Sequence, residues 1–208
     1  MSEDLFKAVK WPLKLPARII EPGKEPRIQG YDVNEDLARH YGFAEVMILA
    51  LTGELPSREE SLLFERLLVL LSPANPGSAP THAASVSRLC GASDAAIIAT
   101  TAGLLAESVT LAEVSHLGWE ENSLKHALSR IMRDSGFEPS WNDDDSLAEL
   151  ISTVLTACGL TLDWQRTTAL TLAALPAAIA EASSWVRGDF KSYPMNLPAF
   201  RYEENEDE

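Results

Sequence analysis

The sequence predicts an all-α fold. Apolar residues recur at helical spacing in successive segments, no stretch of useful length alternates apolar and polar residues, and glycines, prolines and capping residues fall between the segments. The 208 residues suit one compact domain with a sizeable core, and 46% hydrophobic against 23% charged residues is an ordinary globular balance.

Residues 1–27 read as an extended arm, because Pro12, Pro16, Pro22, Gly23 and Pro26 interrupt any helix, while Phe6, Trp11, Leu13 and Ile19 are apolar enough to dock. A helical domain follows over 28–190. Asp32 or Asn34 can cap a first segment carrying Leu37, Ala38 and Tyr41. Phe43 to Leu51 is nearly all apolar, which predicts burial on most sides, and Gly53 stops it. Ser57 and Glu60 form a capping-box pattern ahead of Leu62, Leu63, Leu67, Leu70 and Leu71. Ser72 to Pro80 is a loop, and Thr81 begins the next helix. Gly91 to Asp94 punctuates before a small-residue helix, Ala95 to Leu105, whose Ala, Gly103 and Thr side chains suit close helix packing. Residues 107–121 carry no clear pattern. Leu124, Ala127, Leu128, Ile131 and Met132 restore a stripe. After a loop from Gly136 to Asp144, the acids before Ser146 complement the dipole of a helix bearing Leu147, Leu150, Ile151, Val154 and Leu155. Gly159 ends it. Asp163 can cap a long last helix to about Arg187, kinked at Pro176, with Trp185 in the core. Residues 191–208 form an acidic tail whose EENEDE end is expected to be disordered.

A net charge of -14 repels phosphate backbones and anionic headgroups, which argues against nucleic-acid and membrane-surface binding. An anionic ligand would need local arginine or lysine. Cys90 and Cys158 lack metal-ligand spacing and read as buried reduced thiols, consistent with a cytoplasmic protein. The N-terminus has early acids and no apolar signal region. The longest uncharged apolar run, Ala95 to Ala106, falls short of the ~20 residues a membrane span requires. No metal site or cofactor is expected. The adjacent acids Asp143, Asp144 and Asp145 lack the alternating ligands of a calcium loop. Glu113 with His116, and Ser123 with His126, match no zinc or triad signature, and there is no P-loop, GxSxG or GxGxxG.

The run from Ile28 to Pro56, with Gly30-Tyr31-Asp32, Glu45 to Leu49 and Gly53-Glu54-Leu55-Pro56, resembles the citrate synthase family over nearly thirty positions. Thr81-His82-Ala83-Ala84-Ser85-Val86, followed by Gly91-Ala92-Ser93-Asp94, is similar to that family's S-T-F-A-A-R-V helix and the turn after it. The segment from Gly159 to Trp185 resembles the last long helix of the large domain. Pro198-Ala199-Phe200-Arg201-Tyr202 is similar to the family's P-R-x-x-Y ending. The resemblance implies a helical large domain that dimerises, with most of the small domain missing, since the chain is much shorter than typical members.

The departures bear on chemistry. A family histidine that helps hold oxaloacetate falls on Asn75, and the family arginine of the following helix falls on Ser85. The ground sought for G-P-L-H-G-G reads Ala106-Glu107-Ser108-Val109, without histidine or paired glycines. No trace of G-x-x-H-R-V or D-P-R is found. Condensation needs a carboxylate to remove a proton and imidazoles to stabilise the enolate and polarise the ketone, each group being worth roughly 10²–10⁴-fold. The resulting expectation is a catalytically degenerate protein acting as a homodimer, or as an accessory or regulatory partner of a full-length citrate synthase-like subunit. One alternative is a short acyltransferase or citryl-CoA lyase-like enzyme handling acyl-CoA with oxaloacetate or citrate in tricarboxylic acid chemistry. There His82 and Asn75 would be the catalytic candidates, and Ser78, Arg88 and Arg201 would contact substrate. Another is a di- or tricarboxylate-binding module with Arg88 or Arg27 as counter-charge.

Overall fold

The computed structural model describes residues 16–110, 117–142, 144–186 and 191. Met1 to Leu15, with Phe6, Trp11 and Leu13 of the expected arm, lie outside these residues, as does the tail with Arg201. The described part of the arm is more regular than its prolines suggest. Ile20–Glu21 (β1), Arg27–Ile28 (β2) and Tyr31–Asp32 (β3) form a small antiparallel sheet in which Ile20 pairs with Ile28 and Ile28 with Tyr31. Two-residue strands are too short to show alternation, so they escape detection in sequence.

The Asp32 carboxylate then caps a wide turn, Val33–Leu37, by accepting the amides of Asn34 and Glu35, and the turn runs into Ala38–His40 (α1). Phe43–Thr52 (α2) ends at Gly53, which adopts the left-handed conformation with φ of 90° that favours glycine. Only Met47, Ile48 and Leu49 of α2 are buried. Phe43 is 78% exposed, contrary to the expected burial, because it opens the helix at the molecular edge. Ser57 caps Arg58–Leu70 (α3) through the expected box: its amide donates to Glu60 and its hydroxyl accepts the Glu60 amide. Leu63, Phe64, Leu67 and Leu71 are fully buried.

Ala79–Leu89 (α4) starts two residues before the expected Thr81, since Pro80 lies in the first turn, where no amide is needed. Asp94–Thr110 (α5) is longer at both ends than expected. Glu121–Asp134 (α6) and Leu147–Ala157 (α7) bury every residue of their predicted stripes. Ser146 rather than the acidic run caps α7, in a box with Glu149, and Asp143 lies outside the described residues. At the other end Leu160 donates to the Leu155 carbonyl and Gly159 to that of Thr156, a Schellman closure with Leu160 and Leu155 packed in the core. In Asp163–Ser184 (α8), Leu162 is the cap residue and Asp163 the first helical one. The helix continues through Pro176, which faces solvent, and ends at a half-buried Trp185 rather than reaching Arg187.

Two packing centres result. Leucine-rich faces of α2, α3, α6 and α7 and the first half of α8 enclose the main core. The rest of α8 packs with α4 and α5 through small side chains: Ala174, Ala178 and Ala182 recur every four residues at no more than 1% exposure, and Ala182 meets Ala84 and Ile97. Small residues let helix axes approach closely, so burial there comes from backbone proximity more than from bulky side chains.

Candidate functional site

The loop before α4 and the start of that helix bring three of the predicted residues near one another in sequence. Asn75 accepts the Gly77 amide on its side-chain oxygen, and its carbonyl accepts both the amide and the hydroxyl of Ser78. Ser78, 8% exposed, stands at the cap position of α4 and also meets the Thr81 hydroxyl at 3.3 Å. His82, half-buried, follows one turn later and donates its amide to the Ser78 carbonyl. With buried Thr81 and Ser85, this corner is a hydroxyl-rich helix start. Amides of a first helical turn point outward and favour a carboxylate.

Arg88 does not join the corner. It lies ten residues beyond Ser78, about 15 Å along a helix axis, and its guanidinium is paired with Asp94 at 2.9 Å. Arg27 is exposed on β2 and donates to the Gly30 carbonyl. Arg201 lies outside the described residues.

Ala106 to Val109, expected to occupy the ground of G-P-L-H-G-G, are inside α5, so no substrate-facing turn can form there. The connection to α6 runs over 111–120 and contains His116, which, like the rest of 111–116, lies outside the described residues. The chain after it is held against the loop before α4. Leu117 bridges Ala74, Gly118 donates to the Pro73 carbonyl, and the Trp119 indole donates to the Leu70 carbonyl at 2.7 Å. A Cβ at Gly118 would lie 3.4 Å from Pro73 and 3.7 Å from the Ala74 oxygen, in ordinary van der Waals contact with that loop. This adjacency joins residues more than forty positions apart, which local spacing in the sequence does not report. The signal available was a His-x-Gly followed by the Glu120 cap.

Hydrogen bonds from Ser123 and from Ser146 hold the Glu120 and Glu149 carboxyls below the usual range. Burial, with Glu60 adding a smaller push, drives the Cys158 thiol up to about 12. Cys90, expected to be buried, is exposed at the end of α4. Among the described residues no group of three His, Cys, Asp or Glu is placed to hold a metal ion. No described helix is long and apolar enough to cross a membrane.

The helix order and packing define an all-α protein with a citrate synthase-like fold. Among solved structures the chain is similar to that of citryl-CoA lyase from Hydrogenobacter thermophilus, with a TM-score of 0.59, 17% identity, and coverage of 93% of this chain and 96% of that one. At that identity the likeness is one of fold. Length does not separate the two chains. No family model matches the sequence, and no curated protein does.

Proposed function

We propose that this citrate synthase-like chain works as an assembled subunit whose α5 face is covered by a second copy. One observation carries the reading. While Ile97, Thr101, Leu105 and Ser108 face α4 and α8, the opposite side of α5 offers Ala95, Ala96, Ala99 and Gly103 to solvent, with Ile98 45% exposed. A 17-residue helix with apolar residues on both faces has its outer half uncovered in the single chain. A self-complementary patch of small residues suits an isologous dimer. Light scattering after gel filtration should give twice the 22.7 kDa chain mass. Ile98→Asp should return it to the monomer without loss of helicity, and a wild-type monomer at micromolar concentration removes the reading. Association with a longer citrate synthase-like subunit in place of a second copy would appear as a heteromer on co-expression.

The alternative is an enzyme of the citryl-CoA lyase type, working on an acyl-CoA with oxaloacetate or citrate. What favours it is the stapling of the chain after His116 to Pro73–Ala74, beside Asn75, Ser78 and His82. Incubation with citryl-CoA, or with acetyl-CoA and oxaloacetate, separates the readings. Turnover that His116→Ala and His82→Ala abolish selects the enzyme, and the absence both of oxaloacetate release from citryl-CoA and of thiol release from acetyl-CoA with oxaloacetate rejects it.

A further inference from the structure

The two packing centres are unequal. α4 and α5 pack chiefly on each other and on α8. Of the twelve largest fully buried side chains among the described residues, only Leu105 lies in this layer. Ala84, Leu89, Ile97 and the alanines of α8 supply the rest of its apolar contact. Five of the seven buried polar residues described, Ser78, Thr81, Ser85, Thr101 and Ser108, belong to it as well. Buried apolar area is what stabilises a packed layer, and alanine and hydroxyl side chains supply little of it.

The layer is joined to the main core at few places. In α8, Leu170 and Ala173 pack on the main core, while Ile179 and Ala182 belong to the second centre. Pro176 stands between them and has no amide, so the Leu172 carbonyl loses its usual helical donor at the boundary. The other crossings, the loop before α4 and the segment after 116, are tied to each other on the main-core side. Leu117 is part of that core and bridges Ala74, and Gly118 donates to the Pro73 carbonyl.

We infer that α4, α5 and residues 177–184 of α8 form a second cooperative unit, which opens while the main core stays folded. Asn75 follows directly on the tied Ala74, whereas Ser78 and His82 travel with α4. Opening therefore breaks the two hydrogen bonds that Ser78 donates to the Asn75 carbonyl. Order at this corner is an equilibrium of its own, apart from global folding. A ligand that needs Asn75 and Ser78 together binds with an affinity reduced by the closed fraction, and binding in turn holds the unit shut.

Native-state hydrogen exchange on the full chain, at one protein concentration and in low urea, tests this. In the wild type the slowest amides of α4, from His82 on, and of α5 should exchange at least tenfold faster than those of α3 and α7. Ile131→Val, in the main core, should speed α3, α6 and α7 about two- to tenfold and leave α4, α5 and 178–184 unchanged. Ile97→Val, in the second centre, should speed both sets, because global unfolding includes opening of the smaller unit. Equal protection of the two sets in the wild type overturns the inference. So does an Ile131→Val chain in which α4 and α5 speed up by the same factor as α3, which is the signature of a single cooperative unit.

Discussion

Single side chains close this structure's helices, and their removal has readable consequences. Gly159, at φ of 83°, ends α7 in the region that L side chains avoid. Gly159→Ala should cost about 1 kcal/mol in urea denaturation, whereas Gly103→Ala, inside α5 with nothing within 4 Å of the added carbon, should be neutral or mildly stabilising. The two cysteines should behave oppositely. Exposed Cys90 should react with a thiol reagent in the folded protein, while Cys158, buried with its pKa pushed up to about 12, should react only on unfolding. The sign follows for pH. The folded chain keeps the Cys158 proton that the unfolded chain releases, so this contribution is full below the ordinary thiol pKa and is lost as pH rises from there towards 12. A pH-independent melting temperature between 8 and 10.5 would contradict this.

Among the helices, α3 has the most to lose. Leu63, Phe64, Leu67 and Leu71 are at 0% exposure, and α3 packs against α2, α6, α7 and α8. Leu67→Ala removes a side chain that this many neighbours cannot collapse around, and calorimetry should show a loss of about 2–5 kcal/mol. Leu62→Ala on the same helix, at 36% exposure, should cost far less. The α4–α5–α8 packing differs in kind, since its Ala174, Ala178 and Ala182 contacts leave no room for growth. Ala178→Leu should therefore destabilise by overpacking, by about 1–3 kcal/mol, and a melting temperature at or above wild type would show that the helices can part.

For the whole molecule, a charge of -14 on 208 residues means self-repulsion in the folded state. Screening should raise the melting temperature as sodium chloride goes from about 10 to 200 mM. If the dimer forms through α5, that rise should be accompanied by tighter association, because two acidic copies repel one another. A fall in either quantity would mean that specific ion pairs such as Arg88–Asp94 outweigh the net field.

Helix positions, the Ser57–Glu60 box, the Gly53 and Gly159 stops and the buried stripes of α6 and α7 were legible in the chain. Each is set by residues within a turn or two of one another, and local hydrogen bonds and periodic burial leave a direct trace in residue order. The loop between α3 and α4 that carries Asn75 and Ser78 was legible for the same reason. What stood outside that range was decided by packing. The two-residue strands, the solvent-facing half of α5, the separation of Arg88 from Ser78, and the stapling of Leu117 and Gly118 to the loop some forty residues earlier all depend on which distant surfaces meet. Burial is a property of the assembled helices, so residue order alone could say that Phe43 and Ile98 are apolar but not that both face water.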